Sequence, residues 1–250
     1  MKKICTISAF LFAVLYLHAQ ISGVINYTEM IKLHIDMPGQ DPEMMKKIPQ
    51  THSIQRALIY NGSESIYKNQ VGNQDLDINN QAENGGEVRM VMKSPESTMY
   101  TDTKTNAMIN SQEFFGKTFL VTGEIKKRQW KITGEQKSIL DYPCIKATLQ
   151  DTTNTVAWFT TKLPVNLGPN GLSGLPGTIL MVDVDNGERI TTATKITPRE
   201  VTAAELTKPD KGKKVTVEEF DKIKADKMKE MGGTVGKGGT MRVIVNQERH

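Results

Sequence analysis

The sequence predicts a mainly β protein: a curved or partly closed antiparallel sheet with a covering C-terminal amphipathic helix. Three observations carry that prediction. Apolar residues alternate with polar ones along many short runs, which is the period of a strand with one buried face. Turn residues punctuate those runs at short intervals, as hairpins require. A single helical pattern, opened by its own cap, stands near the C-terminus.

Taken in order, Ile25, Tyr27, Ile31, Leu33 and Ile35 occupy alternate positions, with Asn26, Thr28, Lys32, His34 and Asp36 falling between them. "MPGQDPEMMKKIP" then reads as a Pro-punctuated loop. "IQRALIYNGSESIYKN" predicts two strands joined by a type I′ turn at Asn61-Gly62. Asn69 to Gly86 is rich in Asn, Gln, Asp and Gly and reads as a mobile surface loop. "EVRMVMK" alternates again, and "TMYTDTKTNAMI" predicts a hairpin around Asp102 to Lys104. "FFGKTFLVTG" and "RQWKITG" continue the strands. Two more hairpins turn at Asp151 to Asn154 and at Asp185-Asn186-Gly187. After Ile196 the charged, Pro-interrupted "TPREVTAAELTKPDKGKK" reads as a surface linker. Thr216 and Glu219 then form a capping box before a helix whose Val217, Phe220, Ile223, Met228 and Met231 share one side. "GGTVGKGG" is a spacer, and "TMRVIV" allows one late strand.

The N-terminus "MKKICTISAFLFAVLYLHAQ" has the layout of a secretory signal peptide, a positive start, an apolar run and a small-residue exit. The expected organisation is therefore a signal peptide at 1–19, an antiparallel β domain at 20–197, and a linker, helix and Gly-rich tail at 198–250. After cleavage no transmembrane span is expected, since no other apolar run reaches about 20 residues. The chain has 32 Lys+Arg and 28 Asp+Glu; the leader contains Lys2, Lys3 and no acid, leaving +2 on the mature protein. That charge, with sparse aromatics, argues against nucleic acid as a partner. Cys5 lies in the leader, so Cys144 stands alone and reads as a small buried hydrophobe.

The search for chemistry centres on "NLGPNGLSGLPGTILMVDVDNGERI". No Lys and hydroxyl follow the glycines as a phosphate loop needs, and a strand follows where a dinucleotide fingerprint needs a helix. Gly171-Leu172-Ser173-Gly174 is not a nucleophile elbow. No catalytic residue is assigned, and the expectation is a protein that is not an enzyme and needs no cofactor. The alternative is copper: His34, Met37, Met44, Met45 and His52 fall within nineteen residues, and thioether and imidazole suit Cu(I) in an exported protein. Against it, methionines commonly fill cores. Gly168-Pro169-Asn170-Gly171 reads as a turn, and Gly174 and Gly177 flank a bend that lets the backbone pass close to a neighbouring strand.

At "GLSGLPGTILMVDVDNGERITTATKI" the chain resembles the GLPGLI family of exported proteins of two-membrane bacteria. The motif stands as Gly174-Leu175-Pro176-Gly177-Thr178-Ile179, with Thr178 in place of the usual Leu. The likeness extends through "EFFGKTFLV", "VAWFTTKLPVNLGP" and "VEEFDKIKADKMKEMGG" to nearly the whole mature chain. It implies a secreted, mainly β protein of the periplasm or cell envelope, similar in outline to periplasmic lipoprotein carriers, with no catalytic residues to carry over. The expected role is a non-enzymatic binding or assembly module whose sheet takes a hydrophobic ligand or an envelope protein.

Overall fold

The computed structural model describes residues 22–36, 49–73, 75–81, 87–92, 94–151, 153–163, 165–230 and 243–244. The leader, Met37, Met44 and Met45 of the copper segment, Met231 and the Gly-rich spacer lie outside them. Its strands are β1 (Ser22–Lys32), β2 (Ile35–Asp36), β3 (Thr51–Asn61), β4 (Glu64–Asn69), β5 (Leu76–Gln81), β6 (Glu87–Met92), β7 (Ser97–Asp102) and β8 (Ala107–Phe114). They continue as β9 (Lys117–Glu124), β10 (Trp130–Ile139), β11 (Tyr142–Leu149), β12 (Thr155–Thr160), β13 (Thr178–Val184), β14 (Arg189–Pro198), β15 (Lys213–Thr216) and β16 (Val243–Ile244). The helix α1 spans Val217–Glu230.

Twelve strands form one open sheet in the order β10-β11-β12-β13-β14-β1-β3-β4-β7-β8-β9-β15. Runs of chain neighbours, β10 to β14, β3 with β4, and β7 to β9, pair antiparallel; β1 sits between β14 and β3 and joins the two halves, β4 pairs with β7, and β15 adds to β9 in parallel. Register shifts at Asn26/Tyr27, Ile132/Gln136 and Trp158/Phe159 insert extra residues and bend the sheet. The mainly β architecture with one C-terminal helix is thus the one the alternation predicts.

Three local readings change. The turn after β3 is centred one residue later than expected. Asn61 pairs with Glu64, and the positive φ (57°) falls on Gly62, so Gly62-Ser63 is the turn, with Gly in its first central position. The region read as a loop from Asn69 contains β5, which pairs antiparallel with β6 from Leu76↔Met92 to Gln81↔Glu87. Backbone hydrogen bonds to a strongly alternating partner impose a strand on a polar stretch that has little strand character of its own. The charged stretch read as a linker is pinned at both ends. Val201 and Leu206 are buried with Ile59, Ile66 and Tyr100, and β15 adds to β9 in parallel as the twelfth strand.

The helix begins as its capping box predicts: the Glu219 amide donates to Thr216 Oγ1 (3.2 Å), and the Thr216 amide donates to Glu219 Oε2 (2.8 Å). Phe220 packs on Phe119 of β9 with ring centroids 5.2 Å apart, and Phe220 and Met228 are the helix's buried residues. The late strand β16 pairs with β2 in a separate two-stranded sheet. Cys144 is fully buried, and burial pushes its thiol pKa up, as a packing role requires.

Between β12 and β13 the chain does not turn back directly. The described residues between 161 and 177 run across the sheet, with Leu163, Val165 and Leu167 packed among Ile25, Tyr27, Leu58, Tyr60 and Tyr67. Leu172 and Leu175 pack among Ala147, Ala157, Phe159, Ile179 and Val182. The segment re-enters the sheet at Gly177, where a Cβ would lie 2.2 Å from the Thr160 carbonyl oxygen. That contact is with backbone, which has no side chain to move aside. Gly177→Ala is therefore expected to cost about 2 kcal/mol, and to lower Tm by roughly 4–8 °C in a thermal melt. A melt unchanged within about 1 °C would show that the segment does not press on β12.

Candidate functional site

Register brings the site together. Glu29 of β1 lies opposite Thr191 of β14 and Ile54 of β3; Thr191 lies opposite Val182, and Arg189 opposite Val184. On β1, Tyr27 lies opposite Arg56 of β3. Pairs directly opposite in an antiparallel ladder share a face, so these strands aim a carboxylate, two guanidinium groups and apolar side chains to one side.

Glu29 is 3 % exposed, and both its oxygens are engaged. Arg56 Nε donates to Oε2 at 3.1 Å, and Arg189 Nε forms an ion pair with Oε1 at 3.4 Å. Arg56 also donates to Asn69 Oδ1 and sits over the Tyr67 ring at 5.8 Å. The Tyr67 hydroxyl is buried without a hydrogen-bond partner among the described residues. Burial, then the nearby Glu29 carboxylate, raise its pKa far above the ordinary phenol value, so it stays neutral. One carboxylate thus serves two arginines.

Above this network the segment 161–177 forms a wall. Pro169–Gly171 make a 3₁₀ turn in which Asn170 (φ 52°) and Gly171 (φ 67°) reverse the chain, as the Gly-Pro-Asn-Gly run predicts. Gly174 (φ 95°) brings the wall against the β9–β10 connection: a Cβ there would lie 2.9 Å from the Arg128 carbonyl oxygen, and the Trp130 indole donates to the Ser173 carbonyl at 2.9 Å. Two bonds anchor the wall at the sheet. The Ile179 amide donates to the Leu167 carbonyl at 3.1 Å, and the Thr178 hydroxyl donates to the Val165 carbonyl. Thr178 thus supplies a tie that an apolar residue such as Leu cannot.

Between wall and sheet lies an open cleft of about 370 Å³. Leu149, Val182 and Val184 from the sheet and Leu172 from the wall give it apolar surface; Arg128, Arg189 and the threonines 153, 155 and 191 give it donors. Burial pulls the Arg128 pKa down and Asp151 draws it back up. Asp151 is itself occupied, its Oδ1 accepting the Thr153 amide (2.9 Å) and hydroxyl (2.5 Å). The cleft can hold a molecule with an apolar body and an acceptor end.

The residues singled out from the sequence fall elsewhere or serve the frame. Gly174, Leu175, Pro176 and Gly177 build the wall; Leu175 and Gly177 are buried, and Gly174 and Pro176 exposed. His34 hydrogen-bonds Glu188, and His52 is buried with Nε2 3.0 Å from Ser94 Oγ. Among the described residues no group of three or more His, Cys, Asp and Glu is placed to hold a metal. Sequence reading missed Glu29, Arg56, Arg128 and Arg189. Glu29 gave a signal, being in phase with Ile25 and Tyr27 on the apolar side of its strand. Replacing it by the neutral isostere, Glu29→Gln, removes the charge shared by buried Arg56 and half-buried Arg189 and is expected to destabilise the fold by about 3 kcal/mol in urea unfolding. No change in the unfolding midpoint would mean the arginines are hydrated in place.

Among the described residues no helix is long and apolar enough to cross a membrane. No curated protein matches the chain. Two solved structures of PNGF-II share its fold: the P21 form at 16% identity and TM-score 0.52, the C2 form at 15% and 0.53. Each alignment covers 81% of this chain but 33% and 32% of theirs, so the chain spans about a third of the length of those proteins. Residues 79–222 match the family described as "N-glycanase peptide, N-terminal domain". That match takes in more than half of the chain, including β7 to β15 and both Arg128 and Arg189, and the chain belongs to this family of enzyme N-terminal domains.

Proposed function

We propose that this protein is an exported binding module of the cell envelope, and that its ligand lies in the cleft between the wall and the sheet. The observation that carries the reading is the cleft itself, about 370 Å³ of open space beside a sheet whose remaining inner surface the wall covers. Its volume and its mixture of apolar floor and few convergent donors are those of a small-molecule site. The family description names one domain of an N-glycanase, and the chain spans about a third of the length of PNGF-II. Binding without catalysis is the role we assign to it.

The resemblance to exported GLPGLI proteins and the signal-peptide layout support the envelope as its place of action. The copper alternative draws on His34 and His52, which in the fold are bonded to Glu188 and Ser94. The cleft is the stronger candidate because its lining is assembled from four strands, two connections and the wall.

Native mass spectrometry of the mature chain purified from envelopes is expected to reveal a bound small molecule that dissociates on activation. The variant Leu172→Trp, which fills the cleft, is expected to lose it. Repeated recovery of the unliganded mass alone, or a ligand retained in full by Leu172→Trp, would overturn the reading.

A further inference from the structure

We infer that the cleft's ligand is an amphiphilic monocarboxylic acid, its carboxylate held by Arg128 and Arg189 and its hydrocarbon body laid on Leu149, Leu172, Val182 and Val184. The inference rests on the proposal that the cleft is the binding site, and adds the chemistry of what it binds.

Charge is the first argument. Three guanidinium groups, Arg56, Arg128 and Arg189, stand in or under the cleft, and two carboxylates, Glu29 and Asp151, face them. Glu29 divides its two oxygens between Arg56 and Arg189, and Asp151 spends one of its own on the Thr153 amide and hydroxyl. Among these groups the cations outnumber the carboxylates, and Lys126 adds a further cation beside Asp151, so the cleft favours an anionic ligand.

Hydrogen bonding is the second. Arg128 Nε is buried and has no hydrogen-bond partner among the described residues. A buried cationic donor without an acceptor is costly, and an acceptor entering the cleft relieves that cost. The planar guanidinium fork matches the two oxygens of a carboxylate. Rigid backbone contacts hold the arginine where it is: Gly174 presses on its carbonyl, and the next residue but one, Trp130, is bonded to Ser173.

The floor is the third. Val182 is buried and Leu172 nearly so, and both belong to the cluster built on Ala147 and Phe159. Such a surface gains by covering methylene groups, at about 0.8 kcal/mol for each one fully buried. A short carboxylate such as acetate satisfies the arginines and leaves the floor bare.

Isothermal titration of the mature chain with octanoate, 1-octanol and acetate tests this directly. Octanoate is expected to bind at least ten-fold more tightly than either of the others. Arg128→Gln is expected to bring octanoate down to the octanol level. Arg128→Lys, which keeps the charge and loses the fork, is expected to fall between, so the result does not hinge on one variant's folding. Equal binding of octanoate and octanol, both abolished by Leu172→Trp, would overturn the acid and leave the cleft. Octanoate binding that Arg128→Gln leaves unchanged, or no binding of octanoate at all, would overturn the inference too, while the envelope ligand seen by native mass spectrometry judges the cleft separately.

Discussion

The close approach of residues 161–177 to the sheet is the constraint on which the rest of the structure depends. A sheet this wide exposes more apolar surface on one side than its helix covers, because α1 reaches only the β9–β15 end. The wall supplies the missing cover with Leu163, Val165, Leu167, Leu172 and Leu175. It can do so only if its backbone touches strand backbone at its ends, and Gly177 against Thr160 is where that contact is tightest. The Gly-Pro pattern is thus a packing device first. Its chemistry is indirect: by lying across the sheet it creates the cleft's second side and sets Arg128 at the mouth.

Beneath the wall, the Glu29–Arg56–Arg189 network puts charge where the surrounding strands put hydrocarbon. Buried ion pairs of this kind contribute little net stability over an apolar replacement, since desolvation offsets attraction. Their presence at the base of an open cleft fits a binding role better than a stabilising one.

Most of the fold was legible in the residues, and most of the site was not. Period-two alternation and turn chemistry locate the hairpins at 151–154 and 185–187 and the capping box at Thr216, because those are local decisions made by neighbours in sequence. The β5 strand and the pinned stretch from Val201 to β15 were hidden, because a distant partner imposes each of them. The site residues were hidden for a further reason. "KKRQW" around Arg128 looks like a solvated run of cations, and Arg189 like the polar end of a hairpin; β13–β14 register places Arg189, and contact of the wall with the β9–β10 connection places Arg128. Glu29 was the legible exception, an acid in phase with buried Ile25 and Tyr27.

The central claim is that the wall is an integral layer of the core and not a loop resting on it. Native-state hydrogen exchange tests this at two amides, Ile179, which donates to the Leu167 carbonyl at 3.1 Å, and Leu172, which donates to the Pro169 carbonyl at 3.1 Å. The account predicts that both exchange only through the same global opening that exposes the amides of β1. Exchange of either through a local opening, with β1 still protected, would contradict it.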